Sequence, residues 1–343
     1  MRQQNRINDP KTFDKLLIEK DLKAGKLVIV QFSDKFYSDS LLSDLNELCL
    51  RFDENFSVRF YGHYQVSFDC KTLSKIPNVK ALRLDCLLKA DNLEGLTELK
   101  YLKRLSLGVF ELKDTEILQT PNFHNLTELI IGETKTKALN LKYLENYKDL
   151  NILIICGHTK NIDVVGNLSN LEYLGLNSIS KVSVDFINRL KKLKSLHFLL
   201  GGRENIDEIE ENEIETLEII RVRNFNSFKN ISNFKKLKNL TIEDQIQLKE
   251  LLFDKENSNL KDFKLLNCKT FKSLAGLNKL INLHQLRIYQ TEINFEEFIK
   301  QPLPKSLEIL AFYTAKAKLD KEINQRLLRM GYTDGLPKQT TTA

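Results

Sequence analysis

The chain has 343 residues, 42% hydrophobic and 29% charged, with a formal net charge of +6. That is ample apolar material for one large core or two ordinary ones, and so small a net charge beside a high aliphatic content argues against disorder. No run approaches the ~20 apolar residues that a bilayer crossing requires, and MRQQNRINDP lacks the apolar stretch of a secretory leader, so the expectation is a cytoplasmic protein with no membrane partner. Five cysteines are scattered, odd in number and without a C-x-x-C pair, which fits reduced, buried thiols better than a disulfide framework. Cys156 and His158 form one close Cys/His pair, and two ligands alone do not make a zinc site. No Gly-rich phosphate loop, G-x-S-x-G or H-E-x-x-H occurs, so neither a metal nor a cofactor is expected.

In chain order, residues 11–24 read as a helix, KLVIVQF from Lys26 as a strand, SDSLLSDLNELCLRF from Ser38 as a helix, and FSVRFYG from Phe56 as a second strand. The helix from Ser38 would turn Leu41, Leu42, Leu45, Leu48, Cys49 and Phe52 inward. This β-α-β arrangement would add two strands to a parallel sheet and cap it, so residues 1–78 read as an N-terminal capping unit.

A repeat follows. Apolar residues fall at every third position and the last step shortens to two, as in Leu274, Leu277, Leu280, Leu283, Leu286 and Ile288. At 3.6 residues per turn a stripe of threes drifts around an α-helix, whereas a 3₁₀ turn keeps it on one face. The final step of two is strand periodicity. Each unit therefore reads as a tight 3₁₀-like turn feeding a short strand. The first positions of the L-x-x-L-x-L cores are Val79, Leu102, Leu126, Leu150, Leu171, Leu193, Leu217, Leu237, Leu260, Leu283 and Leu307, at intervals of 20–24 residues. After these eleven units (79–315), DKEINQRLLRMGY reads as a closing helix within 316–332, with Ile323, Leu327 and Met330 inward and Gly331 as its stop. Residues 333–343 read as a disordered tail.

These eleven cores resemble the leucine-rich repeats of the short type found in internalins and in a eukaryotic phosphatase-1 regulator, over about two-thirds of the chain. Residue usage and the short period are more similar to bacterial members than to plant or animal ones. The resemblance implies an α/β repeat solenoid: a curved horseshoe with a parallel β-sheet on its concave face and irregular 3₁₀ turns or short helices on its convex face. The family's usual Asn or Cys after the last strand leucine, which bonds neighbouring backbones in a ladder, is matched by Cys268, whereas Thr134, His158, Gln245 and others stand there elsewhere. Irregular turns are therefore expected. The unit at 251–260 is atypical, with Asp254 and Asn257 where apolar residues belong.

In this family the outward strand residues of the concave face are the usual contacts. On the spacing above they include Arg83, Arg104, Ile130, Ile152, Ile154, Tyr173, His197, Leu199, Arg221, Arg223, Lys264, Arg287, Tyr289 and Tyr313. Ile130, Ile152, Ile154 and Tyr173 would form one apolar patch, with Arg83 and Arg104 on one side and Arg221 and Arg223 on the other. An apolar centre ringed by arginines and tyrosines is the composition of a protein-binding hot spot. The acidic run Glu204, Asp207, Glu208, Glu210, Glu211, Glu213 and Glu215 reads as a solvated convex turn. Lys80, Lys103, Lys194, Lys238 and Lys261 would stack into a partial basic rim, interrupted by Glu172, Glu218 and Glu308. The expected function is non-catalytic recognition of a protein partner, with inhibition or toxin immunity as a specific role. The alternative is a nucleic-acid or ribonucleoprotein scaffold using the lysine rim. Nucleic acid is not expected as the partner, because few aromatics accompany the lysines.

Overall fold

The structure is a computed structural model and describes residues 3–33, 37–62 and 67–335. It divides into two compact units, Met1–Leu171 and Glu172–Ala343.

In the first unit seven parallel strands follow one another in chain order: Gln4–Asn8, Leu27–Phe32, Phe56–Tyr61, Ala81–Leu87, Arg104–Val109, Glu128–Ile131 and Ile152–Cys156. The first of these was not legible. QNRIN has no alternation of apolar and polar residues, yet it pairs along Leu27–Phe32 and makes three N-terminal strands rather than two. Helix Lys15–Lys23 is capped by Asp14 and helix Asp39–Arg51 by Ser38, whose side-chain oxygens accept from Leu17 N and Leu41 N. The second helix buries Leu41, Leu42, Leu45, Leu48 and Cys49. On the opposite side of the repeats lie the 3₁₀ segments Cys70–Lys75, Pro121–Asn125, Leu141–Asn146 and Ile162–Asn167. Their every-third apolar residues are buried as the spacing requires, among them Leu73, Phe123, Leu144 and Val165.

The second unit repeats the design with strands Tyr173–Asn177, Ser195–Leu199, Thr216–Ile220, Asn239–Glu243, Asp262–Leu266, Gln285–Tyr289 and Ile309–Tyr313. The strand residue pointing in is buried and its neighbours are half-buried, in strict alternation through most of them. After six of these strands the chain turns through a left-handed residue that is not glycine: Ser178, Leu200, Arg221, Asp244, Asn267 and Gln290, with φ between 51° and 61°. Each gives its N–H to the last carbonyl of the following strand at 2.7–3.0 Å, as in Asn267 to Tyr289, so the strained conformation keeps the ladder going one step past the strand. This explains how a chain with 13 glycines makes so many sharp turns.

The atypical unit is built differently from its neighbours. Strand Glu250–Leu252 pairs with Ser273–Ala275 on the side away from the main sheet. Asn257 stands in for an apolar residue: its Oδ1 accepts from Asn259 N and Leu260 N, and its Nδ2 donates to Phe234 O. The closing helix, Ala317–Arg329, buries Ile323 and Leu327, but Met330, expected inward, is about half exposed because it already occupies the C-cap. Gly331 (φ 94°) ends the helix, and Tyr332 N bonds back to Leu327 O. Of the expected tail, Thr333 instead pairs with Ile309, while 336–343 lie outside the described residues.

Candidate binding face

The outward strand positions are set by the two-residue alternation, and the register aligns them in rows. In the first unit one row runs Gln31, Arg59, Arg83, Ser106, Ile130, Ile154, and the row beside it contains Arg104, Glu128 and Ile152. Ile130, Ile152 and Ile154 are half-buried on neighbouring strands, about 4.8 Å apart. Arg104 is engaged with Glu128, Nε and Nη2 reaching Oε2 at 2.8 and 2.6 Å. Arg59, in a strand read only as part of the cap, donates to Asp85 Oδ1 through Nε at 2.7 Å and lies 4.3 Å over the Tyr61 ring. Arg83, the register partner of Arg59, has its guanidinium held below the ordinary range by burial.

In the second unit Tyr173 stacks on His197 at 4.6 Å between ring centroids, and His197 Nδ1 meets Glu218 Oε2 at 2.7 Å. The His197 contact draws the Glu218 carboxyl below its usual range, while burial pushes the Tyr173 phenol up. The result is an aromatic surface whose imidazole is fixed in orientation by a carboxylate. No Ser, Thr or Cys is hydrogen-bonded to His197 among the described residues. Leu199 lies beside Ile220, Lys264 beside Arg287, and Tyr289 beside Tyr313. Arg287 Nε donates to Gly335 O at 2.8 Å and the Tyr313 hydroxyl to Asp334 Oδ2 at 2.5 Å, so the returning C-terminal segment covers part of this end of the face.

Arg221 and Arg223 do not belong to the face. Leu217 is not the first residue of its core but the first inward residue of its strand, and Ile219, which a core starting at Leu217 would turn outward, is fully buried. The core begins at Ile214, which spaces it 21 residues after Leu193 and 23 before Leu237. This correction puts Thr216, Glu218 and Ile220 outward. Arg221 moves into the left-handed turn, paired with Asp244, and Arg223 moves beyond the strand, donating to Gly201 O. The signal was present in Ile214-Glu215-Thr216-Leu217-Glu218-Ile219, where the spacing of three then two holds.

The lysine rim is largely engaged by its neighbours. Lys194 pairs with Glu172 and Lys238 with Glu215, while Lys80 binds Phe52 O and Asp53 and Lys103 binds Asn125 O. In the acidic run, Glu208 accepts from Val184 N, Ser183 and Arg203, and Glu211 pairs with Lys235, so several of these carboxylates tie repeats together. In three of the repeats the ladder position is filled by unlike residues. His158 Nδ1 accepts from Leu139 N and its Nε2 meets Gly132 O; Gln245 donates to Ile219 O, and Cys268 lies 3.8 Å from Ile242 O. Burial raises the Cys49, Cys70 and Cys268 thiols to about 12, whereas Cys86, expected inside, is exposed in a left-handed turn. Among the described residues no group of three or more His, Cys, Asp or Glu could hold a metal ion, and no helix is long and apolar enough to cross a membrane.

A parallel sheet of outward-alternating strands, most of those in the repeats fed by a 3₁₀ segment with apolar residues at every third position, decides the fold. It is the leucine-rich-repeat fold. No family model and no curated protein sequence matches the chain. Among solved structures it is similar to the Toll–Spatzle complex from Drosophila (TM-score 0.51, 13% identity, 90% of this chain and 46% of that one) and to the TLR13–ssRNA13 complex (TM-score 0.50, 14% identity, 84% and 50%). It also aligns with an internalin from Listeria monocytogenes (TM-score 0.46, 17% identity, 91% and 87%). The second of these corrects the expectation about nucleic acid. A leucine-rich-repeat chain of this fold has been solved with a single-stranded RNA, so the rarity of aromatics beside the lysines is no ground for setting nucleic acid aside.

Proposed function

We propose that this chain is a non-catalytic recognition protein of the bacterial cytoplasm that binds another protein across the outward face of its sheet, acting as an inhibitor or immunity protein. The observation that carries the reading is the group of half-buried isoleucines at 130, 152 and 154, flanked by Arg83 and Arg104 on adjoining strands. Apolar side chains at outward sheet positions gain by being covered, and arginines at the margin supply directed hydrogen bonds. The Toll–Spatzle structure is a precedent for protein complexes on this fold. The test is affinity capture from the native host with the wild type and with an Ile152→Asp/Ile154→Asp double variant. One protein should co-purify with the wild type and be lost with the variant, while the thermal midpoint stays put. Equal capture by both would sink the assignment.

A second reading, single-stranded nucleic acid on the same face, is favoured by the TLR13–ssRNA13 precedent. The rim lysines Lys194 and Lys238 are paired with glutamates, and Arg59 and Arg104 with carboxylates of their own, so it would act through cations of the face left outside such pairs, Arg83 among them. Nuclease treatment before capture separates the two.

A further inference from the structure

Arg59, Arg83 and Arg104 stand on three successive strands of the outward face of the first unit, and only two of them are satisfied. Arg59 is held by Asp85 and by Gln31 Oε1 at 3.2 Å. Arg104 is held by Glu128 and by Glu54 O at 3.2 Å. Arg83 lies near both, half-buried, and makes no hydrogen bond or ion pair with any described residue. Its charged neighbours are Glu128, Arg104, Asp85 and Arg59. Both carboxylates among these are already engaged by the other two guanidiniums, which leaves Arg83 without a carboxylate of its own.

A second, independent observation adjoins it. Ser57 is 1% exposed and its Oγ has no partner, although buried hydroxyls almost always find one. Ser57 lines the same small cavity as Arg83, Arg104, Ala81, Ser106 and Glu128. Arg83 and Arg104 also wall a cleft of about 630 Å³, shared with Glu54, Glu128, Asn151 and Ile152. An unpaired five-donor fork on the wall of an open cleft, with an unpaired hydroxyl buried in the small cavity behind it, is complementary to an anion.

We propose that Arg83 and Ser57 form an anion subsite that receives the carboxylate of an aspartate or glutamate side chain of the protein partner. This rests on the protein-recognition reading and adds the partner's chemistry. One spare guanidinium matches one negative charge, and its planar fork matches a carboxylate in two parallel hydrogen bonds. Glu54 and Glu128 on the walls oppose a dianion. A nucleic-acid backbone would need successive free cations, and Arg59 and Arg104 on either side are already neutralised. Ile152 on the wall, with Ile130 and Ile154 nearby, suits an acidic residue set among apolar ones.

The test uses the full chain and two fluorescent probes, an acetylated hexaglutamate and an oligouridine, read by anisotropy at low salt. Hexaglutamate should bind the wild type. Arg83→Gln should weaken it by about tenfold and Ser57→Ala by about threefold, with Arg83→Lys recovering part of the loss. Lys20→Gln, on a helix away from the face, serves as the charge control and should change nothing. Arg83→Gln should also melt no lower than the wild type, because it removes a desolvated and unpaired charge, so lost binding is not lost folding. Equal binding by wild type and Arg83→Gln, or none by the wild type, would overturn the subsite. Oligouridine binding that depends on Arg83, without hexaglutamate binding, would overturn the carboxylate assignment in favour of a phosphodiester. Partner capture that depends on Ile152 and Ile154 while hexaglutamate fails to bind removes the subsite and leaves the recognition reading. The reverse removes that reading and leaves the subsite.

Discussion

Individual residues here carry jobs that their type alone does not announce. His158 occupies the ladder position as a neutral imidazole: Nδ1 takes the Leu139 N–H while Nε2 faces the Gly132 carbonyl. A proton on Nδ1 would set two donors against each other, and burial lowers the folded pKa below the ordinary 6.5. The unfolded side chain then takes up a proton near 6.5 where the folded one does not. Stability should be level above about pH 7 and fall as pH drops through about 6.5 and below. His158→Asn, the residue more usual at that position, should flatten this slope in urea midpoints recorded between about pH 5 and 7; an unchanged slope would place its origin elsewhere. Asn267 holds the other kind of special position, a left-handed turn at φ 56° that branched side chains resist. Asn267→Val should cost about 1–2 kcal/mol in chemical denaturation, whereas Asn267→Gly should cost much less.

At the scale of elements, the every-third stripe and its final step of two gave both the 3₁₀ segments and the strands, because each spacing keeps one line of side chains against the core. Some elements escaped, and one was read out of phase. Gln4–Asn8 is held by backbone pairing with Leu27–Phe32, and its side chains, which alternate between exposed and half-exposed, leave no apolar trace in the sequence. The phase of strand Thr216–Ile220 slipped because Leu217 and Ile220 also fit the first two positions of a core, and a slip of that kind exchanges buried and outward residues. The turn at Asn257 shows the opposite case, a polar residue doing the work of a leucine. Asn257→Leu, which would restore the apolar pattern, should therefore destabilise by about 1–3 kcal/mol in urea denaturation, since it strips acceptors from two backbone N–H groups and a donor from Phe234 O.

For the molecule as a whole, the type of partner that the proposed face would suit depends on how much of it is apolar and how much of its charge is already spent. If the isoleucines of the first unit dominate, capture of a protein partner should survive about 0.5 M salt, because burial of apolar surface is not screened. Single-stranded RNA binding should fall steeply over the same range through counterion release. A salt series on the captured complex therefore distinguishes the two modes without knowledge of the partner. The aromatic group Tyr173, His197 and Glu218 should contribute separately in the second unit, through stacking and an oriented imidazole rather than net charge.

The sequence by itself determined the repeat, its period and most of the core, because burial of leucines at fixed spacing is a local, periodic requirement written once per unit. It also determined that Arg83, Arg104, Ile130, Ile152, Ile154, Tyr173 and His197 point outward, since strand alternation follows from the same phase. Only the tertiary structure decided which of these charges are spent. Arg104 pairs with a glutamate 24 residues away, Arg59 with an aspartate 26 away, and Arg83 with none, and nothing in their local sequence differs in a way that says so. Ion pairing between strands depends on register across repeats, which a one-dimensional pattern does not carry, and that register is what leaves one guanidinium of this face, and one hydroxyl buried beneath it, without a partner.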